Sequence, residues 1–391
     1  MQLPRVVRTS VLAIATGLAA ACGSNEFAVL VDAGTSDAPT ADASASDASA
    51  QVDADGAASD ASTTCRDPRA DPQSPCSIAV ASCARSTLSL PAASSPLAVF
   101  DIGYDATHVY WIAATGYNGL TPGVLYRVPK TGGTTEMMAK DLPGPVSLAL
   151  DSTSIYVVNT GFDNLANTIV RVKKSAPCNG TTCTMPQTIF SGQVGRGPRI
   201  YTLGEEDLYL IAANAHFRHY FDGAVPSWRS TPKRLNGDHP SGTGGPNGIF
   251  VGAGVRREVD EISQDGLSTK KLLDVSVGDA GAFPGANFLV RDCTSLYVVR
   301  DSINDVLRFP RAGGLPTTVI PGPRTGTYAI AVDETFVYLG VANGPGILRT
   351  VKKGGGPLDT VMAGNVWAIA VDDTAVYWGD HDTGVIYRLI K

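Results

Sequence analysis

The C-terminal residues read Trp367-Ala-Ile-Ala-Val-Asp372-Asp-Thr374-Ala-Val-Tyr377-Trp378-Gly-Asp-His381-Asp-Thr-Gly-Val-Ile-Tyr-Arg388-Leu-Ile-Lys391. Short apolar runs alternate here with residues that favour turns, which predicts a strand, a tight turn, a second strand, a short loop and a third strand. Asp372 and Thr374 fall in the first turn, where their side-chain oxygens can hydrogen-bond to backbone amides. The same pattern recurs upstream, so these residues form one copy of a repeated unit.

The repeat is marked by the pattern Asp-x-Thr-x-aliphatic-Tyr, which occurs five times. Its copies begin at Asp105, Asp151, Asp292, Asp333 and Asp372. Each copy is followed by an apolar pair and an arginine, at Arg127, Arg171, Arg308, Arg349 and Arg388. Two weaker copies, around Tyr209 and Phe250, bring the aromatic positions to seven, and successive aromatic positions lie 39 to 53 residues apart.

A period near forty residues with four short strands per unit is typical of a β-propeller, in which each sheet buries both faces against its neighbours. The sequence therefore predicts an all-β, seven-bladed β-propeller with four-stranded antiparallel blades over residues 86–391. Six blades remain an alternative if residues 214–245 form one large insertion. Because the chain ends after the third strand of its last unit, we expect Thr87–Pro91 to supply the outer strand of that blade and close the ring.

Two segments, Val376-Tyr377-Trp378-Gly379-Asp380 and Tyr110-Trp111, resemble the YWTD repeat of propellers of the low-density-lipoprotein-receptor type. The resemblance extends over residues 96–391. It departs from that family in the Thr-Asp half of the motif, which only Asp380 preserves. The family implies a binding platform and does not imply an enzyme.

The N-terminus has the features of a bacterial lipoprotein signal peptide, predicted over residues 1–21. Arg5 and Arg8 precede the apolar segment Ser10–Ala21, which is too short to span a bilayer but suits a signal-peptide core. Small residues precede Cys22, which we expect to become the lipid-modified first residue; an ordinary signal peptide with a stray cysteine is the alternative. The acyl chains would anchor the protein in the cell envelope. An outer membrane of a Gram-negative bacterium is preferred, because Gly23 does not resemble the inner-membrane retention signal.

Residues 22–64 are predicted to be a disordered linker rich in alanine, serine and aspartate. Residues 1–64 contain two arginines and eight acidic residues, which accounts for the whole net charge of −6 and leaves residues 65–391 balanced at 29 basic and 29 acidic residues. A neutral domain with dispersed charges argues against binding to nucleic acid or to an anionic membrane surface. We expect a monomer that touches the membrane only through its lipid.

Six cysteines remain besides Cys22, and an even number in a secreted protein predicts disulfides. Cys178 and Cys183 fall in the hairpin between the third and fourth strands of the second repeat, so they are predicted to pair. Residues 65–85 form a cysteine-containing N-terminal segment. Three pairings stay open for the other four cysteines, which are Cys65, Cys76, Cys83 and Cys293. All these cysteines are expected on one face of the ring, leaving the opposite face pointing outward.

Residues repeated in every unit are interpreted as structural, so a binding site is sought among residues that vary. Asp380, His381 and Asp382 place an imidazole between two carboxylates, which could bind a metal or relay a proton; a solvated turn is the alternative. A second set is interpreted as an aromatic loop inserted in the third blade over the propeller mouth, where it could close on a ligand, or simply pack as a loop. This set contains His216, His219, Tyr220, Phe221, Trp228 and His239. No organic cofactor is predicted, although a divalent cation held by oxygens such as those of Asn159 and Asp305 is an option.

The sequence contains no Gly-x-Ser-x-Gly, His-Glu-x-x-His, phosphate-loop or dinucleotide motif. The favoured function is therefore a non-catalytic envelope lipoprotein whose propeller binds a protein or an envelope glycan. One alternative is a metal-dependent enzyme resembling propeller lactonases or lyases, with His381 or a channel carboxylate as the base. Another is a structural scaffold within an envelope complex.

Overall fold

The computed structural model describes residues 85–89 and most of residues 98–391. The gaps are 116–120, 161–166, 181, 195–197, 204–206, 213–214, 221–226, 231–240, 246–247, 254–255, 264–267, 275–285, 293, 301–304, 311–313, 323–325, 343, 352–354 and 356–357. The predicted signal peptide, Cys22, the linker, Cys65, Cys76, Cys83 and Cys293 lie outside the described residues. Within the part that the structure describes, no helix is long and apolar enough to cross a membrane.

The described residues form strands throughout, numbered here in chain order. The strands are β1 Arg85–Ser89, β2 Ala98–Tyr104, β3 His108–Ala114, β4 Pro122–Pro129, β5 Glu136–Pro143, β6 Pro145–Leu150, β7 Ser154–Asn159, β8 Asn167–Lys173, β9 Gln187–Gly192, β10 Arg199–Leu203, β11 Asp207–Ala212, β12 Ala215–Tyr220, β13 Ser227–Ser230, β14 Ser241–Gly245, β15 Gly248–Ala253, β16 Arg256–Ser263, β17 Thr269–Asp274, β18 Ala286–Arg291, β19 Ser295–Arg300, β20 Val306–Pro310, β21 Thr317–Ile320, β22 Thr327–Val332, β23 Phe336–Val341, β24 Gly344–Val351, β25 Asp359–Gly364, β26 Val366–Val371, β27 Ala375–Asp380 and β28 Ile386–Ile390.

Within the described residues these strands build seven four-stranded antiparallel sheets. Six sheets use four consecutive strands, starting with β2 to β5, and the seventh combines β26, β27 and β28 with β1. The first strands of successive sheets contact one another in order, from β2 through β6, β10, β14, β18 and β22 to β26, and β26 contacts β2. The inner strands therefore form a closed ring. The predicted all-β propeller with four-stranded antiparallel blades is confirmed.

The first strand among the described residues completes the last sheet, as the sequence predicts. β1 pairs antiparallel with β28, with Thr87 opposite Tyr387. The strand covers Arg85–Ser89, two residues earlier than expected, and its register shifts between Thr87 and Ser89.

The seven aromatic positions all lie in the second strand of a sheet. Each tyrosine of the five strong copies lies opposite the arginine predicted for its repeat, as Tyr377 lies opposite Arg388. The third sheet has the same pairing, because Tyr209 lies opposite Arg218, which the sequence pattern alone did not identify. Residues 215–220 and 227–230 are thus strands β12 and β13 of this sheet rather than one large insertion.

The aspartate of each strong repeat fixes both its turn and the neighbouring tyrosine. Asp372 Oδ1 accepts hydrogen bonds from the backbone nitrogens of Thr374 (2.7 Å) and Ala375 (2.8 Å), and Oδ2 accepts one from the Tyr377 hydroxyl at 3.1 Å. The other four copies repeat the contact from tyrosine to aspartate at 2.6–3.0 Å. The predicted role of the aspartate in the turn is confirmed. The bond to the tyrosine adds a partner for a hydroxyl that would otherwise be costly to bury.

Lysines connect these turns to the next sheet around the ring. Lys130 Nζ lies 2.6 Å from Asp372 Oδ2, and equivalent pairs join Lys174 to Asp105 at 2.9 Å and Lys391 to Asp333 at 2.8 Å. Burial alone would raise the pKa of Asp372, but hydrogen bonds from Lys130 and from its own turn outweigh burial and lower this pKa to about 2. The carboxylate thus stays ionised and holds two sheets together.

The apolar core lies between neighbouring sheets and requires close approach of their backbones. One cluster joins Val99 and Trp111 of the first sheet with Ala368 and Tyr377 of the last. A Cβ atom on Gly379 would lie 2.4 Å from Val99 Cγ1, so the absence of a side chain at residue 379 allows these sheets to pack.

The disulfide predicted between Cys178 and Cys183 is present. It lies in the hairpin between β8 and β9, at the same end of the sheets as the Asp-Thr turns.

Replacing Lys130 with methionine should destabilise the protein by about 1 kcal/mol at pH 6. The pKa of Asp372 is about 2 in the folded protein, against an ordinary value of 3.8. The stabilisation that the ion pair contributes is therefore complete above about pH 4 and is lost as the pH falls towards 2. The free energy of unfolding in urea, measured from pH 6 to pH 2, should therefore differ between wild type and Lys130→Met at the upper end and converge at the lower end. The exposed Lys173→Met is the control, and a difference that stays constant with pH would contradict the ion pair.

Gly379→Ala should destabilise the protein by about 1–3 kcal/mol, because the new methyl group overlaps Val99. Combining it with Val99→Ala should recover part of this loss in a double-mutant cycle of urea-unfolding free energies. Strictly additive effects would show that the two residues do not meet.

Candidate functional site

β-Bulges recur at one position in the inner strands. In five sheets the pairing of the inner strand with the second strand skips one residue near the start of the inner strand. The skipped residues are Phe100, Val146, Asn287, Tyr328 and Trp367. Each lies five residues before the aspartate of its turn, a spacing that could have identified this set from the sequence. Bulges redirect side chains, so this position is a structurally repeated place for variable residues.

Three adjacent sheets carry aromatic rings at this position, and His381 joins them in one stack. The ring of Tyr328 lies 4.1 Å from that of Trp367, nearly parallel at 14°, and Trp367 lies 4.2 Å from His381 at 24°. Phe100 meets His381 edge-on at 5.9 Å. We call these four residues the aromatic stack. Its Tyr328 end is 38% exposed, so a planar or apolar group could extend it there.

A chain of hydrogen bonds fixes the polar edge of the aromatic stack. Trp367 Nε1 donates to Asn365 Oδ1 at 2.7 Å, and Asn365 Nδ2 donates to Asp382 Oδ1 at 2.8 Å. The backbone nitrogen of His381 also donates to the Asn365 carbonyl at 2.7 Å. Asn365 therefore holds the indole, the backbone of His381 and the Asp382 carboxylate in one arrangement, and the sequence pattern did not indicate this role.

The structure separates the two carboxylates that flank His381 in the sequence. Asp380 is buried, and its Oδ1 accepts hydrogen bonds from the backbone nitrogens of Asp382 and Thr383, both at 3.0 Å. Asp382 is the carboxylate that lies near the imidazole, with 3.5 Å between Nδ1 and Oδ1, and its side chain is 66% exposed. Asp380 thus shapes the turn, whereas Asp382 faces solvent beside the rings.

The surroundings of His381 disfavour the protonated form of its imidazole. Burial lowers the pKa of His381, and the nearby Asp382 and Asp380 only partly offset this effect. Among the described residues, no group of three His, Cys, Asp or Glu side chains is placed to share a metal ion. Asp305, considered above as an oxygen donor for a cation, instead accepts a hydrogen bond from Arg300 Nε at 2.7 Å.

Four of the six residues in the second predicted set lie on strands rather than in a loop over the mouth. His216, His219 and Tyr220 belong to β12 and Trp228 to β13, which are the outer strands of the third sheet. His219 lies opposite Trp228 in the register. Phe221 and His239 fall outside the described residues. For the four residues on strands the loop placement was wrong, because the third repeat lacks its turn aspartate and its third and fourth strands were not recognised.

Neither a protein-family model nor a curated protein matches this chain. Solved structures do resemble it. The extracellular domain of BT4673 from B. thetaiotaomicron is 14% identical with a TM-score of 0.56, over 78% of this chain and 39% of that chain, so this chain spans less than half of that length. The Cps50 (Swd1) β-propeller domain of Myceliophteria thermophila has a TM-score of 0.54 and is 9% identical. YCF48 from Cyanidioschyzon merolae has a TM-score of 0.51 and is 12% identical. Each of these two matches covers 78% of this chain and 99% of the other chain. These similarities show the β-propeller fold.

The free energy of unfolding should fall as the pH drops below about 6.5. In that range the unfolded chain binds a proton at His381, whereas burial in the folded protein disfavours this protonation. Each unit by which the folded pKa lies below its ordinary value costs about 1.4 kcal/mol at acid pH. The pKa of His381 can be measured directly by NMR titration of its ring protons, and His381→Gln should flatten the stability profile between pH 7.5 and 5. Titration at or above the ordinary histidine value would show that the ring is not held neutral.

Proposed function

We propose that this protein is a non-catalytic binding protein of the cell envelope, and that its propeller captures a protein partner on the aromatic stack. The observation that carries the proposal is that three neighbouring sheets place aromatic rings at one repeated bulge position, with Tyr328 exposed at the end. The residues common to the repeats are instead engaged in turns and in contacts between sheets.

A stack of rings is suited to binding a partner. Exposed aromatic residues with fixed orientation contribute large contact area at a small entropic cost, and they are enriched among the residues that dominate interface energies. Asn365 and the bulges hold these rings in place before any partner arrives, which reduces the cost of ordering them on binding.

The envelope location rests on the N-terminus. Lipid attached at Cys22 would anchor the protein, and a flexible linker of 42 residues would give a reach of roughly 35 Å from the membrane surface. The resemblance to YWTD propellers agrees with a binding platform. We propose the outer membrane as the destination, because Gly23 does not resemble the inner-membrane retention signal.

The proposal predicts that Tyr328→Leu weakens partner capture by about tenfold. The measurement is recovery of cross-linked envelope proteins by the tagged full chain. Tyr104→Leu is a matched control, because Tyr104 is a tyrosine with the same 38% exposure at the opposite end of its sheet. Equal capture by wild type and Tyr328→Leu, with both variants folded by circular dichroism, would refute a role for the stack.

A further inference from the structure

We infer that the turn carboxylate of the second repeat, Asp151, is a binding site for a primary ammonium group that another molecule supplies. This site lies at the end of the sheets that carries the Asp-Thr turns, whereas the aromatic stack lies at the other end. The inference is therefore independent of the proposed function.

The first argument is that three other turn carboxylates already hold an ammonium group. In each case the Nζ atom of a lysine in the next sheet lies 2.6–2.9 Å from Oδ2 of the aspartate. The pairs are Lys130 with Asp372, Lys174 with Asp105, and Lys391 with Asp333. In two of them Nζ also lies near the ring of the tyrosine that the carboxylate binds, 5.4 Å from the centre of Tyr110 and 5.9 Å from that of Tyr377. The repeated turn therefore accommodates an ammonium group beside one oxygen and one aromatic ring.

The second argument is that Asp151 repeats this geometry without a lysine. Its Oδ1 accepts hydrogen bonds from the backbone nitrogens of Thr153 at 2.7 Å and Ser154 at 2.6 Å, and its Oδ2 accepts one from the Tyr156 hydroxyl at 2.6 Å. The side chain of Asp151 is partly exposed, and Thr153 beside it is exposed. In the portion of the chain that the structure describes, no lysine or arginine lies within salt-bridge distance of Asp151. The acceptor is preorganised, and the cation is missing.

The sequence accounts for the missing cation. Each of the three paired lysines comes three residues after the arginine of its repeat, as Lys174 follows Arg171. In the third repeat, which supplies the next sheet after Asp151, the equivalent arginine is Arg218, and the residue three positions later is Phe221. Phe221 lies outside the described residues, and its side chain carries no charge. The chain thus keeps the turn carboxylate but omits the lysine that pairs with it in other repeats.

The remaining acceptor position favours an ammonium over a guanidinium. Oδ1 of Asp151 already accepts three hydrogen bonds, because the Thr153 hydroxyl adds a contact at 3.2 Å to the two backbone nitrogens. The remaining capacity is therefore on Oδ2. A guanidinium binds a carboxylate best through both oxygens at once, whereas an ammonium is a compact point charge that can use one. The ligand group is accordingly a primary ammonium, carried either by a lysine of a protein or by a free amine.

The first test uses the full chain and three tripeptide probes that differ only in the central side chain: acetyl-Gly-Lys-Gly-amide, the same peptide with norleucine, and the same peptide with arginine. Norleucine resembles lysine in its straight chain and lacks the charge. Binding is followed by NMR through the backbone amide signals of Thr153 and Ser154, which donate to Asp151. The lysine peptide should bind about threefold more tightly than the norleucine peptide, and also more tightly than the arginine peptide.

Two variants locate this interaction. Asp151→Asn keeps the shape of the side chain and removes its charge, so it should abolish the preference for lysine over norleucine. Asp141→Asn neutralises an exposed carboxylate elsewhere and should leave the preference intact. Equal binding of the lysine and norleucine peptides, or an unchanged preference in Asp151→Asn, would overturn the inference.

A second test supplies the ammonium from the chain itself. Phe221→Lys should recreate the pair with Asp151 and thereby prevent the lysine peptide from binding preferentially, whereas the uncharged Phe221→Leu should not. In urea unfolding, the folding equilibrium constant of Phe221→Lys relative to Phe221→Leu should be about threefold higher with Asp151 present than in the Asp151→Asn background. Absence of this coupling would also overturn the inference, because residue 221 would then not occupy the position of the paired lysines.

Two further measurements identify the source of the ammonium group. Reduced recovery of cross-linked envelope proteins by Asp151→Asn would assign it to a lysine of a protein partner. Unchanged recovery, together with tighter binding of pentylamine than of the lysine peptide, would assign it to a free amine. Failure of the proposed function is a separate result, which shows as unimpaired partner capture by Tyr328→Leu.

Discussion

A single carboxylate in the first turn of each strong repeat satisfies backbone amides and a buried tyrosine hydroxyl. At three interfaces among the described residues it also pairs with a lysine of the next sheet. For Asp372 these partners are Thr374, Ala375, Tyr377 and Lys130. Each sheet buries both faces, so no sheet could be stable alone. The turn carboxylate therefore secures local structure and ring assembly with the same atoms, and losing it would disturb both.

The contacts made by the turn aspartates concentrate at one end of the sheets, and the candidate site lies at the other end. The bulge position near the start of the inner strand is repeated in geometry but not in residue type, since it holds Phe100, Val146, Asn287, Tyr328 and Trp367. The aromatic stack crosses the last sheet, which is also the sheet that β1 completes. The closure of the ring and the candidate site thus depend on the same sheet.

Sequence periodicity predicts features that depend on neighbouring residues, and it misses features that depend on distant ones. The Asp-Thr turns, the closing strand near Thr87 and the Cys178–Cys183 bridge were all predictable, because each follows from local spacing or from the count of strands. The pair formed by Lys130 and Asp372 was not predicted, because its partners are 242 residues apart and meet only when the ring closes. The candidate site shows the same division. His381 was predicted from its flanking carboxylates, whereas Tyr328, Trp367 and Phe100 share a spacing of five residues before the turn aspartate but come from three different repeats, so their contacts with His381 and with one another were not predicted.

The two ends of the sheets also differ electrostatically, which agrees with the proposed binding role of the end that carries the aromatic stack. At the turn end, Lys130, Lys174 and Lys391 neutralise three carboxylates across sheet interfaces, so these charges are already engaged. At the other end, Arg300 and Asp305 form a buried ion pair, while Asp382 remains largely exposed beside His381, whose pKa is lowered by burial. A charge that already has its partner contributes to stability, and it is poorly placed to attract a ligand. An exposed charge held in position by Asn365 contributes little to folding and is therefore better suited to selecting what binds.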